Sequence, residues 1–212
     1  RKGSGRAPGW EWRLRSPQLK PTADPSCWKT RQVGRRFGSN WLLFRDGVVA
    51  HMHSADLLTV SPNSGWQVTL EFPSLTLGGV NRACARTERP GGKGSHFAMA
   101  ANTLKPGSTA VAHCLGGEPG RRVRVALDAL RTPQIVGAIA ERTRICTTLV
   151  NVQKGEATEL LEPSPVVTVA EAERFEAAVR EAAVRMRGLA FCGTLPEGLP
   201  HDFYARVANF AK

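Results

Sequence analysis

From residue 56 onward the apolar positions switch between two periods. Residues 57–60 are a short apolar run of strand type, and residues 67–72 alternate with period two, which predicts a half-exposed strand. Residues 97–104 read as a short helix, and the unbroken run Thr-Ala-Val-Ala-His-Cys-Leu at 109–115 reads as a buried strand. Gly116-Gly-Glu-Pro-Gly120 opens a second helix, with Val123, Ala126, Leu127 and Leu130 on one face. Two β-branched runs, 145–150 and 157–161, are joined across Lys154-Gly155 as a hairpin-like pair. Thr168 and Glu171 have the spacing of a capping box, and Phe175, Val179, Ala182 and Met186 form the stripe that follows. Residues 188–192 then read as a strand, 193–198 as a turn, and a last helix carries Phe203, Val207 and Ala211 inward. Strands alternating with helices predict an α/β fold with parallel βαβ units and its chemistry on loops at the carboxyl ends of the strands.

The first 51 residues do not share this pattern. They hold 11 Lys and Arg against three acids, so +8 of the net charge of +11 lies there and the remaining 161 residues carry only +3. Trp10, Trp12, Trp28 and Trp41 also fall in this segment, among Gly, Ser and Pro in no periodic order. A basic, Trp-bearing arm could bind RNA or a membrane surface. The plainer expectation is that residues 1–51 are disordered or extraneous, with Met52 as the natural start and residues 52–212 as the folded part. The triplet His51-Met52-His53 has the His-hydrophobe-His form of rolling-circle nickases, with Tyr204 as its sole tyrosine, but nothing around it supplies a supporting acid. The five cysteines are scattered without a C-x-x-C, which argues for reduced thiols in a cytoplasmic setting and against a zinc or disulfide framework. No apolar stretch approaches the ~18 residues of a membrane span.

One stretch invites a chemical reading: Arg-Pro-Gly-Gly-Lys-Gly-Ser-His at 89–96. It is not a P-loop, because Thr87 stands where the first glycine should be and Gly94 where Ser or Thr should follow Lys93. It is not a dinucleotide fingerprint either, because Gly92-Lys93-Gly94 is followed by Ser95-His96-Phe97. What remains is a cationic, glycine-rich turn before a helix, which is either a plain turn or an anion site built on free N–H groups.

The order of the segments adds more. Residues 58–83, the Gly-Gly-Lys-Gly turn at 91–94, LGGEPG at 115–120, TRICTTLV at 143–150, TELLEPSP at 158–165 and CGTLPEGLPHDFYA at 192–205 follow one another at distances that resemble the PfkB carbohydrate kinases. The likeness is to their 1-phosphofructokinase and tagatose-6-phosphate kinase branch and covers residues 56–212. It implies a ribokinase-like parallel sheet flanked by helices, with a small β lid near 67–72 and 145–161, truncated before the C-terminal ATP-binding part.

By that resemblance the glycine turn faces sugar rather than ATP, so Gly91, Gly92, Lys93 and His96 join Asn63, Gln67, Asn81, Arg82 and Arg144 as substrate-binding candidates. Gln67 stands where the family has an aspartate that binds sugar hydroxyls, and His96 where it has an asparagine. Arg144 matches an arginine that holds the substrate's phosphate, a task suited to a forked guanidinium. The family's catalytic aspartate lies in a Gly-x-Gly-Asp turn that this sequence lacks, so no catalytic residue is assigned and that aspartate is expected beyond Lys212. The parent reaction uses ATP and Mg²⁺ to phosphorylate fructose 1-phosphate, fructose 6-phosphate or tagatose 6-phosphate. This chain alone is expected to bind neither ATP nor metal, to take a sugar phosphate, and to pair as a homodimer through the lid; nucleic acid and membrane are not expected partners. The alternative is a non-catalytic relative that keeps the sugar-phosphate pocket or the lid surface.

Overall fold

The structure, a computed structural model, describes residues 55–211 and the backbone of two short strands, β1 (Leu42–Leu43) and β2 (Val48–Ala50). The rest of the expectations for residues 1–54, including the start at Met52 and the His51-Met52-His53 triplet, lies outside the described residues. The elements that follow are β3 (Leu57–Val60), β4 (Gly65–Phe72), β5 (Ala85–Gly91), α1 (Lys93–Leu104), β6 (Thr109–Leu115), α2 (Gly117–Ala129) and β7 (Gln134–Ala138). Beyond them come β8 (Ile145–Asn151), β9 (Glu156–Leu161), α3 (Val169–Ala183), β10 (Gly188–Phe191) and α4 (Phe203–Phe210).

Two sheets result. The larger has the order β1-β2-β7-β6-β3-β10, with β7, β6, β3 and β10 parallel and the hairpin β1-β2 antiparallel at one edge. Every residue of β6 is buried, as a strand covered on both faces requires. Ala110, Ala112 and Cys114 turn to one face, where Leu58, Val60 and Ile135 meet Phe175 and Val179 of α3 and Phe203 and Val207 of α4. Phe175 and Phe203 stack with ring centroids 5.7 Å apart. Val111 and Leu115 turn to the other face, against Ala98 of α1 and Val123 and Leu127 of α2. The fold is thus the expected α/β arrangement of a mostly parallel sheet, flanked among the described residues by four helices.

The smaller sheet, β5-β4-β8-β9, is the expected lid. β4 pairs antiparallel with β5 and parallel with β8, and β8 turns back into β9 through Lys154-Gly155, where Gly155 has φ 66°. Trp66 and Val68 of β4 pack into the same cluster as Val123 and Leu127, so α2 roots the lid on the main sheet.

Several details differ from the sequence pattern. α1 begins at Lys93, four residues before the apolar run, so the Gly-Lys-Gly-Ser segment is its first turn. α2 ends before Leu130, which is exposed, and α3 ends before Met186, which only partly packs on the core. Ala211 follows the last turn of α4 and is not part of its buried face. Strands β5 and β7 have no counterpart in the pattern.

The capping box at the start of α3 is formed in both directions. The Glu171 N–H donates to Thr168 Oγ1 at 3.3 Å, and Glu171 Oε2 accepts from the Thr168 N–H at 2.9 Å. Glu171 Oε1 also accepts from the Ala140 N–H at 2.7 Å, which ties the helix start to the segment after β7. Replacing Thr168 by Ala removes one of these bonds and is expected to lower stability by about 1 kcal/mol, the usual value of an N-cap hydroxyl. Urea unfolding checks this: the midpoint should fall with the slope unchanged, and an unchanged midpoint would show that Glu171 holds the turn alone.

Candidate functional site

The carboxyl ends of β3, β6, β7 and β10 lie side by side, and the segments leaving them carry two of the candidate residues, Asn63 and Arg144. In an open α/β sheet ligands bind in the crevice outside those ends. Ser61 to Ser64 leave β3, Gly116 leaves β6, residues 139–144 leave β7, and Gly193-Thr194 leave β10.

The glycine turn meets this crevice through the first turn of α1. Gly92, the N-cap, has φ 101°, a conformation that strains any other L residue. Gly94 lies so close to β3 that an added Cβ would sit 2.3 Å from Ser61 Cβ and 2.7 Å from Thr59 Oγ1. Its N–H donates to Ser61 Oγ at 3.3 Å. Helix geometry leaves the N–H groups of Lys93 and Ser95 without an intrahelical acceptor, no side chain caps them, and no acid occupies the first turn. Lys93 is exposed beside them. The turn that the sequence leaves open between plain loop and anion site is therefore a helix N-terminus, whose dipole favours negative charge.

Asn63 and Arg144 come together. The Arg144 guanidinium donates from Nη2 to the Asn63 carbonyl at 3.1 Å, and Asn63 Nδ2 donates to Ser164 Oγ at 2.7 Å and Thr194 Oγ1 at 3.0 Å. Asn63 thus binds the segments after β7, β9 and β10 to the end of β3. Two atoms of this group, Asn63 Oδ1 and Arg144 Nε, are buried without a hydrogen-bond partner. A buried acceptor and a buried donor left open together are costly unless a ligand or water meets them.

Gln67 extends the site along the lid. It lies opposite Arg89 and Cys146, touches the position of Gly91, and donates from Nε2 to Thr148 Oγ1 at 2.6 Å. His96 turns back toward β5, with Nε2 donating to the Pro90 carbonyl at 3.1 Å. Burial, and then the Arg89 guanidinium, hold its pKa below the ordinary imidazole value. Asn81 behaves differently from the others: its amide closes its own loop, accepting from the Thr76 N–H at 2.8 Å and donating to the Thr76 and Gly79 carbonyls. Arg82 is exposed on the same loop. Tyr204 donates to the Cys192 carbonyl at 2.9 Å, and burial pushes its hydroxyl up to about 12, which suits a structural phenol rather than a nucleophile.

Sequence reading missed the polar groups beneath the crevice. His113 is fully buried in β6, with Nε2 3.1 Å from Gln134 Oε1 and Nδ1 3.3 Å from Ser64 Oγ. Ser64 Oγ lies 3.4 Å from Ser95 Oγ in α1. The one signal for this group in the sequence is a histidine inside an otherwise apolar strand. The described cysteines are free, and no group of metal-ligating side chains occurs among the described residues. No helix among them is long and apolar enough to cross a membrane.

No family model matches the chain. It is 27% identical over 157 residues to a tagatose-6-phosphate kinase of Staphylococcus epidermidis, covering 74% of this chain and 49% of that protein. Among solved structures it resembles phosphofructokinase-2 from Escherichia coli in complex with fructose-6-phosphate, with a TM-score of 0.66, 21% identity and coverage of 74% and 51%. It also resembles a possible 1-phosphofructokinase from Thermotoga maritima, with a TM-score of 0.69, 18% identity and coverage of 76% and 50%. The chain spans about half the length of the curated relatives it matches. These likenesses make the chain similar to the tagatose-6-phosphate kinases and phosphofructokinases, on the ribokinase-like fold of its structural neighbours.

Two outcomes are expected of this geometry. Gly→Ala in a helix normally stabilises by up to about 1 kcal/mol, whereas Gly94→Ala should destabilise by about 1–3 kcal/mol, the cost of overpacking; a raised melting temperature would contradict the close approach. The second concerns His113, whose pKa burial lowers from 6.5 to about 4. The unfolded chain takes up this proton first, so the stability it contributes is complete above about pH 6.5 and is lost as the pH falls through about 4. The slope in between is about 1.4 kcal/mol per pH unit for one proton. Urea midpoints between pH 7 and pH 4 should fall more steeply for the native chain than for His113→Leu, and parallel curves would exclude His113 as the cause.

Proposed function

We propose that this chain is the sugar-binding portion of a hexose-phosphate kinase, whose complete reaction transfers the γ-phosphate of ATP to a phosphorylated ketohexose such as fructose 1-phosphate, fructose 6-phosphate or tagatose 6-phosphate. The observation that carries the reading is the pairing of two unlike polar sites in one crevice. The open first turn of α1, with Lys93, is suited to an anion, and Asn63 Oδ1 with Arg144 Nε offers a buried acceptor and a buried donor. A sugar phosphate presents both an anion and hydroxyls that donate and accept. Arg144 adds a charge-assisted bond to phosphate, and Gln67, on the lid, offers a neutral amide where the family's aspartate would offer a charge. Binding and orientation are the share of catalysis that these residues can supply, and phosphoryl transfer depends heavily on both.

ATP and Mg²⁺ belong to that complete reaction as phosphoryl donor and counter-charge. The sequence holds no Gly-x-Gly-Asp turn, and the described residues include no cluster of metal ligands. No step is therefore assigned to the nucleotide or its metal. Gln67, a neutral amide where the family has an aspartate, favours a second reading, a PfkB-like protein that binds sugar phosphate or a partner without catalysis. The lid would serve either protein as a homodimer surface, and a cytoplasmic setting suits both.

Calorimetric titration with fructose 6-phosphate and fructose 1-phosphate tests the first step. Arg144→Ala should weaken binding by ~1.5–3 kcal/mol, the range for hydrogen bonds to a charged group. Equal affinities for the two chains would remove Arg144 from the site, and no binding by the native chain would remove the sugar-phosphate reading itself.

A further inference from the structure

Beneath the crevice runs a directed chain of hydrogen bonds. Gln134 Nε2 donates to two groups that can only accept, the Arg124 carbonyl at 3.0 Å and Asp128 Oδ1 at 2.7 Å, both on α2. The amide orientation is thereby set, and its Oε1 must accept from His113 Nε2 at 3.1 Å. His113 is therefore the Nε2–H tautomer, and Nδ1 carries a lone pair in a site with no exposure. Its neighbour there is Ser64 Oγ at 3.3 Å, slightly nearer than the competing acceptor of Ser64, the Ser61 carbonyl at 3.4 Å. An unpaired buried acceptor is costly, so the Ser64 proton goes to the imidazole. The Ser64 oxygen is then left to accept from Ser95 Oγ at 3.4 Å. Each hydroxyl contact is long for its kind; what the chain supplies is direction.

We propose that His113 is a positioning residue for the ligand-binding turn: fixed in one tautomer by Gln134, it orients Ser64 and through it Ser95 at the open N-terminus of α1. Ser64 and Ser95 are themselves almost fully buried, and Ser64 flanks Gly92 while Ser95 is in the first helical turn. With the Ser95 hydroxyl committed inward, the main-chain N–H groups of the turn are presented to the ligand on a fixed frame. Such a frame suits a group that only accepts hydrogen bonds, as a phosphate dianion does. This inference rests on the sugar-phosphate reading for its ligand but not for its geometry.

The test compares the 212-residue chain with His113→Leu, which removes both ring contacts, and His113→Asn, whose amide oxygen keeps an acceptor near the place of Nδ1. Fructose 6-phosphate binding is measured by calorimetry, folding by thermal melting, and the turn by amide hydrogen exchange at Gly94 and His96, whose N–H groups are bonded to Ser61 Oγ and to the Gly92 carbonyl. His113→Leu should bind about tenfold more weakly or worse and exchange at least about tenfold faster at those two amides, a change of about 1.4 kcal/mol in each equilibrium. Exchange in β6 should stay near native once corrected for the change in melting. His113→Asn should recover most of both losses. Native-like affinity in His113→Leu overturns the proposal, as does a loss that follows global stability equally in both variants. If the native chain binds no sugar phosphate, the ligand reading fails and exchange alone decides: selective opening at Gly94 and His96 supports the positioning role, and unchanged exchange there overturns it.

Discussion

The first turn of α1 passes so close to the end of β3 that residue 94 has no room for a side chain, and the rest of the site is arranged around that contact. Ser61 fills the space a Cβ would need and takes the Gly94 N–H. Because the helix starts there, its unpaired N–H groups open at the carboxyl edge of the parallel strands rather than in solvent. The same approach brings Ser95 against Ser64, which seats the helix on the polar group around His113. One steric fact thus places a positive dipole end, a glycine turn and a buried polar network at one point.

The lid depends on a second constraint. Its central strand β4 presents Trp66 and Val68 to α2, whose Val123 and Leu127 also cover the main sheet. Arg122 of α2 pairs with Glu88 of β5 at 3.5 Å, and Glu88 accepts from the Trp66 indole at 3.2 Å. A helix that packs on both sheets at once makes the root of the lid a continuation of the core. Gln67, near that root, is held by Thr148 of the neighbouring strand, so its position follows from strand register.

Much of the framework was legible in the sequence because long periodic runs have one packing solution. The unbroken run at 109–115 could only be a strand buried on both faces, and the stripe through Phe175 and Val179 could only be the inward side of a helix. β5 escaped notice because Ala-Arg-Thr-Glu-Arg-Pro-Gly has no alternation and holds Pro90, which an edge strand tolerates. α1 was read as starting late because its first turn is written in glycine and serine, residues that also make loops. In the site, Asn63 and Arg144 were found by resemblance and meet in space, whereas Asn81 is consumed by its own loop. The partners of Asn63 and His113 lie on distant strands and helices, at Ser164, Thr194 and Gln134, and no local pattern encodes such meetings.

The register of β3 also carries a timing problem. Its partners on either side are β6, where Leu57 meets Thr109, and β10, where Leu57 meets Gly188. A ribosome adding 5–20 residues per second needs on the order of ten seconds to bring the second partner out after the first strand has emerged. During that interval Leu58 and Val60, both without exposure in the finished fold, have at most one neighbour and at least one bare flank. Pairings so far apart in the chain also fold slowly once synthesis ends, since loop closure precedes the contacts that reward it. The growing chain is thus exposed to sticking at the strand that later lies inside the sheet, and chaperone demand should track the delay between residues 60 and 191 more than the hydrophobicity of any segment.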